Sequence, residues 1–227
     1  MKKNNYRRDF LKQFAAGATV LGAGIFATPL KVAAAVTPPP DVSEADKWFN
    51  KVKGKHKVVF DVTQPHEIFP FAWPKVFLLT NAATGTPEKD CGVVVILRHT
   101  AIAYTMGNQL WEKYKFGEMF NITDGATKAP AIRNPFWMPK PGDFKVPGIG
   151  EVQIGINELQ ASGVMFCACD MAITVFSASV AEKTNQDAAT VKKEWLANLL
   201  PGIQPVPSGV WAVGRAQEHG CTYCFAG

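Results

Sequence analysis

Several elements that would announce a familiar chemistry are missing from this 227-residue chain. No glycine-rich loop follows its first predicted strand, and neither His-Glu-x-x-His nor Gly-x-Ser-x-Gly occurs, so nucleotide, zinc-protease and serine-hydrolase readings have no footing. Cysteine is scarce and odd in number: Cys91, Cys167, Cys169, Cys221 and Cys224 cannot all pair within one chain. A secreted disulfide scaffold is short and cysteine-dense, which this chain is not. The composition is 47% hydrophobic and 19% charged, enough apolar material for a real core.

The start of the chain is different in character. Lys2, Lys3, Arg7, Arg8 and Lys12 face the single acid Asp9, and from Phe14 to Leu30 there is no charge. Lys31 then leads into Ala33-Ala34-Ala35, the small-residue pattern of a signal-peptidase site. Arg7-Arg8-Asp9-Phe10-Leu11-Lys12 resembles the Arg-Arg-x-Phe-Leu-Lys box of twin-arginine signals, with Tyr6 where Ser or Thr is usual. Residues 1–35 are thus expected to be a leader, the mature chain to begin near Val36, and its destination to be the periplasm. An uncleaved leader is the one expected route to a membrane.

Charge sharpens this division. Of 24 basic and 19 acidic residues, the leader takes six (Lys2, Lys3, Arg7, Arg8, Lys12, Lys31) and one (Asp9), leaving 18 of each. The basic character of the precursor belongs to the leader, and no excess remains to draw nucleic acid as a partner.

Residues 36–55, opening on Thr37-Pro38-Pro39-Pro40, read as a spacing linker with a short helix around Ser43 to Lys51. A single domain is expected over 56–227. Its strands are the β-branched or continuous apolar runs Lys57–Val62, Gly92–Leu97, Val164–Ala168, Ile203–Val206 and Cys221–Ala226. Helical stretches alternate with them: one that follows the Pro-interrupted stretch to Trp73 and ends near Asn81, then about 108–116, 152–161, 169–182, 186–200 and 210–219. This alternation predicts an α/β fold, a three-layer α/β/α sandwich around a five-stranded, mostly parallel sheet with right-handed crossovers. Between about 121 and 150 the chain is rich in Gly and Pro, with Phe136, Trp137 and Met138 among them. It is expected to be irregular, either an ordered surface loop or a lid.

Ligands in open parallel sheets gather beyond the carboxyl ends of the strands. Cys169 ends the third strand and precedes a helix, where backbone N–H groups and the helix dipole favour a thiolate. Asp170 opposes this unless its carboxylate caps the helix. Arg98 and His99 end the second strand and can bring a cation or a general base to the same edge. The structural alternatives are a small buried thiol at 169 and a satisfied polar pair at 98–99. Cys167, two residues earlier, is expected to share a face with Cys169 and to be core. Cys221 and Cys224, three apart on a strand, point to opposite faces, which disfavours shared metal ligation.

Gly163-Val164-Met165-Phe166, Cys169-Asp170-Met171-Ala172-Ile173, Pro207-Ser208-Gly209-Val210 and Arg215-Ala216-Gln217-Glu218-His219-Gly220 together resemble the DsrE/DsrF-like family of small α/β proteins. The resemblance spans about residues 57–227 and is most specific in the last third. It implies the five-stranded fold, a homo-oligomer (trimer or hexamer), and sulfur-relay chemistry with a persulfide at the position matching Cys169. The expected function is sulfur handling by Cys169, assisted by His99 or Arg98, with a sulfur donor or acceptor protein as partner and no cofactor. The alternative is a non-catalytic binding module that holds a small ligand, metal or partner subunit, with Asp170 and Trp137 as ligand contacts. A purely structural oligomer comes third.

Overall fold

A computed structural model describes residues 41–227. The expected leader lies outside the described residues. The chain opens with α1 (Val42–Phe49), whose first turn is capped by the Asp41 carboxylate accepting from the Ser43 N–H at 2.8 Å. There follow β1 (His56–Val62), α2 (Phe69–Ala83) and β2 (Cys91–Leu97), then a 3₁₀ segment (His99–Thr105), α3 (Asn108–Tyr114) and α4 (Phe116–Met119). A small hairpin, β3 (Lys145–Val146) with β4 (Gly150–Glu151), leads to α5 (Ile156–Ala161). The rest is β5 (Met165–Cys169), α6 (Asp170–Thr184), α7 (Ala188–Ala197), β6 (Ile203–Val206), α8 (Gly209–Glu218) and β7 (Thr222–Phe225).

The five long strands form one sheet in the order β6-β5-β2-β1-β7, and every neighbouring pair is parallel. The chain steps outward from β1 through β2 and β5 to β6, then returns across the sheet to β7. Because parallel crossovers are right-handed, a reversal of direction moves the crossover helix to the other face. Two cores result. One holds Phe60, Val62, Val95, Leu97 and Phe166 from the sheet against Phe71, Leu78, Ile173 and Trp195. The other holds Val59, Val94, Ile96, Cys167 and Val206 against α8 and α1. The sheet is therefore the middle layer of a three-layer α/β/α sandwich, as its near-continuous apolar strands require.

Three local expectations change. α1 is no spacer: Ala45, Trp48 and Phe49 are buried in the second core, and Phe49 lies 5.9 Å from the Trp211 ring of α8, so the domain starts before residue 56. Its apolar stripe was short enough to pass for a linker helix. α2 begins at Phe69, ahead of its expected start after Trp73. Pro70 sits in the first turn, where no intrahelical N–H bond is lost, and Pro74 forfeits one. α5 begins at Ile156 instead of Val152, because residues 145–151 pair as the hairpin and the Gly155 N–H is satisfied by the Glu158 carboxylate at 2.8 Å.

The stretch from 121 to 136 is an ordered loop. The Asp124 carboxylate accepts from the N–H groups of Ala126 and Thr127, and the Ala131 N–H bonds to the Ile122 carbonyl at 2.9 Å. A β-carbon at Gly117 would lie 2.3 Å from the Ala131 carbonyl oxygen, so a glycine is needed where the loop crosses α4.

Candidate functional site

The strand ends bring the site together by register. Leu97 lies opposite Ala168, so Arg98 and Cys169 take the next positions on adjacent strands, and Cys169 in turn lies opposite Val206, just before α8. Asp61 is on β1, two residues from Val59 and on the same face, and is only 2% exposed. A carboxylate that deep must be paired. The Arg98 guanidinium grips it with both prongs, Nε to Oδ1 at 2.7 Å and one terminal nitrogen to Oδ2 at 2.9 Å. The Tyr223 hydroxyl on β7 donates to Oδ2 at 3.0 Å. Hydrogen bonding to Asp61 holds the Arg98 pKa above its ordinary value. Gly209, the first residue of α8, is the floor under the arginine stem: a β-carbon there would fall 2.5 Å from Arg98 Cδ. Ser208 caps α8, accepting from the Trp211 N–H at 3.2 Å.

Cys169 is the last residue of β5 and also the N-cap of α6. Its Sγ accepts the Ala172 N–H at 3.3 Å, in the role a serine or aspartate oxygen usually fills. The residue is 6% exposed, and the Arg98 guanidinium is near enough to feel a charge on its sulfur. Burial pushes up the pKa of Cys91, Cys167 and Cys224, and that of Cys221 to about 11. None of the five cysteines is in a disulfide.

His99 is exposed and holds a left-handed backbone, φ 49°, which a non-glycine residue seldom adopts. Its ring meets Phe176 of α6 edge-on, with centroids 5.9 Å apart, so it stands beside the helix that Cys169 begins. Asp170 does not cap α6. Its Oδ2 accepts from Lys192 Nζ of α7 at 2.8 Å, both side chains are buried, and Oδ1 has no hydrogen-bond partner. The charge beside Cys169 is thus countered by Lys192. Trp137 is a half-buried loop residue packed on the first core, and it makes no hydrogen bond to Cys169, Arg98 or Asp61.

Cys167 and Cys169 belong to different cores, where a shared face was expected, because the chain turns into α6 at Cys169. Cys221 packs in the second core and Cys224 against the first. Among the described residues, no three His, Cys, Asp or Glu side chains gather closely enough to hold a metal ion.

The edge therefore joins Cys169, Arg98 and, alongside α6, His99. Sequence reasoning missed Asp61, Tyr223, Gly209 and Lys192. Asp61 carried a readable signal, an acid inside the apolar run Lys57–Val62 that calls for a buried partner. Tyr223 and Lys192 carried none, since their roles depend on which strand and which helix become neighbours.

Fold and edge define a three-layer parallel α/β/α protein with a helix-capping cysteine. No protein-family model matches the chain. No curated protein matches it. Among solved structures, a protein of unknown function from Methanobacterium thermoautotrophicum is similar at 16% identity, covering 75% of this chain and 99% of its own, with a TM-score of 0.38.

Proposed function

We propose that the protein handles sulfur in the periplasm, with Cys169 as the thiolate nucleophile that becomes a persulfide. The observation that carries this reading is the Ala172 N–H donated to Cys169 Sγ at the start of a 15-residue helix. An N–H donor and the positive end of a helix dipole both favour negative charge on a cysteine sulfur. Arg98, pinned by Asp61, adds a fixed cation within electrostatic reach.

The step needs no oxidant. The Cys169 thiolate attacks the outer sulfur of a donor persulfide R–S–SH. The donor S–S bond breaks with its electron pair leaving on R–S⁻, and the transferred sulfur keeps its proton in the new Cys169–S–SH. Transfer to an acceptor thiolate is the same displacement repeated. Arg98 stabilises the anionic sulfur during exchange and acts as a positioning residue for that charge.

The test is intact-mass spectrometry of the protein purified without reductant, before and after incubation with a polysulfide. The expected result is a sulfur-sized mass gain, removed by reductant and absent from Cys169→Ser. A Cys169→Ser protein that takes up sulfur as well as the wild type would refute the assignment.

A further inference from the structure

A second feature of the carboxyl edge is unrelated to Cys169. A cleft of about 520 Å³ opens between the β1–α2 connection and the 121–136 loop, within the size range of small-molecule sites. Its apolar lining includes Ile68, Ile122, Phe136 and Phe144. Tyr104 also lines it, and the residue is only 1% exposed, its ring held edge-on between Phe71 and Phe136 at 5.2 and 5.3 Å. Among the described residues its hydroxyl makes no hydrogen bond, and it is not one of the unpartnered side-chain atoms fully sealed from solvent, so its O–H is available to a molecule in the cleft.

We propose that this cleft binds a small, uncharged aromatic carbonyl compound whose carbonyl oxygen accepts a hydrogen bond from Tyr104. The chemistry follows from the lining. Burial raises the Tyr104 pKa far above the ordinary phenol value, so the hydroxyl keeps its proton and offers a donor that a carbonyl matches. Phe136 and Phe144, stacked with centroids 4.8 Å apart and planes nearly parallel, supply aromatic surface against which a planar ring can pack. A carboxylate ligand would place a charge against this apolar floor. The charged lining residues Glu67 and Lys128 are exposed, at the rim, where they leave the floor neutral.

The rim is also strained. Glu67, Asn121 and Lys128 hold left-handed φ values of 48°, 54° and 59°, though none is glycine. Such strain persists where the surroundings impose it, and it concentrates at ligand sites. At Asn121 and Lys128 the hydrogen bonds of Asp124 and the Ala131–Ile122 pairing impose it. Together they fix one wall of the cleft in position.

The test uses the naphthyl ketone fluorophore prodan, whose emission reports both polarity and hydrogen bonding at its carbonyl, titrated into the full chain. Saturable, blue-shifted binding is expected. Tyr104→Phe should weaken it about tenfold, the loss of one hydrogen bond, and shift the bound emission further to the blue. Because no protein partner is lost, this variant should melt no lower than the wild type. Thr123→Trp, which places bulk at an exposed lining position, should abolish binding. Cys169→Ser should bind prodan normally, so failure of the sulfur assignment and failure of this one are distinguishable. Absence of saturable binding, or binding that Tyr104→Phe and Thr123→Trp both leave unchanged, would overturn the proposal.

Discussion

Asp61 and Asp170 are both buried carboxylates near the strand ends, both bound to a cation, and yet they differ in how completely they are satisfied. Asp61 meets the planar fork of Arg98, which matches both of its oxygens, and Tyr223 adds a third bond. Asp170 meets the ammonium of Lys192, a point charge that reaches one oxygen and leaves the other without a partner. The contrast separates two uses of a buried ion pair. The first fixes the orientation of a cation that remains partly open to solvent, at 27% exposure, beside Cys169. The second closes two helices over a charge that would otherwise sit unbalanced next to the cysteine.

The largest effect should come from stranding one charge. Lys192→Met leaves Asp170 buried without its cation and should lower unfolding free energy by about 3–5 kcal/mol, read from urea denaturation. Adding Asp170→Asn to Lys192→Met should recover part of that loss, because the uncompensated charge is gone. If the double variant is as unstable as the single one, the carboxylate is not what Lys192 balances.

Arg98→Lys tests the fork itself. It keeps the positive charge but loses one of the two parallel bonds to Asp61, and should cost about 1–2 kcal/mol in the same measurement. A smaller loss would make the two ion pairs equivalent after all.

The smallest effect is expected from Tyr223→Phe, which removes one bond to Asp61 on a half-exposed residue, at about 1 kcal/mol or less. Its pH dependence gives the sharper reading. Burial, then the bond to Asp61, raise the Tyr223 pKa above its ordinary value of 10.0. The folded chain therefore holds this proton more tightly than the unfolded chain. The contribution is fully present below pH 10 and declines as pH rises through the folded value. The stability gap between wild type and Tyr223→Phe should shrink in denaturation curves recorded above pH 10.

Much of the fold was legible because its signals are local. The apolar run Gly92–Leu97 announces a strand covered on both faces, and Gly220 marks where the last helix stops. Cys169 at a strand-to-helix junction was legible for the same reason, since the junction itself is a sequence feature. The hairpin at 145–151 was not: its two strands are two residues each, too short to show alternation among so many prolines and glycines. Likewise α1 looked like a spacer, because what makes it core is the presence of α8, more than 150 residues away, on the same face of the sheet.

By itself the sequence determined the alternation of strands and helices, the position of Cys169 at a strand end, and the residues near it in the chain. These follow from periodicity, turn chemistry and capping, which act over a few residues. Only the tertiary structure decided that Asp61 and Tyr223 hold Arg98, that Lys192 answers Asp170, that Gly209 makes room for the arginine stem, and that Tyr104 ends in a cleft. Each of these depends on strand order and crossover hand, which bring together residues far apart in the chain, such as Asp61 and Tyr223, separated by 162 positions. Buried charges are written in the sequence as ordinary letters, and they acquire meaning when packing removes water from around them.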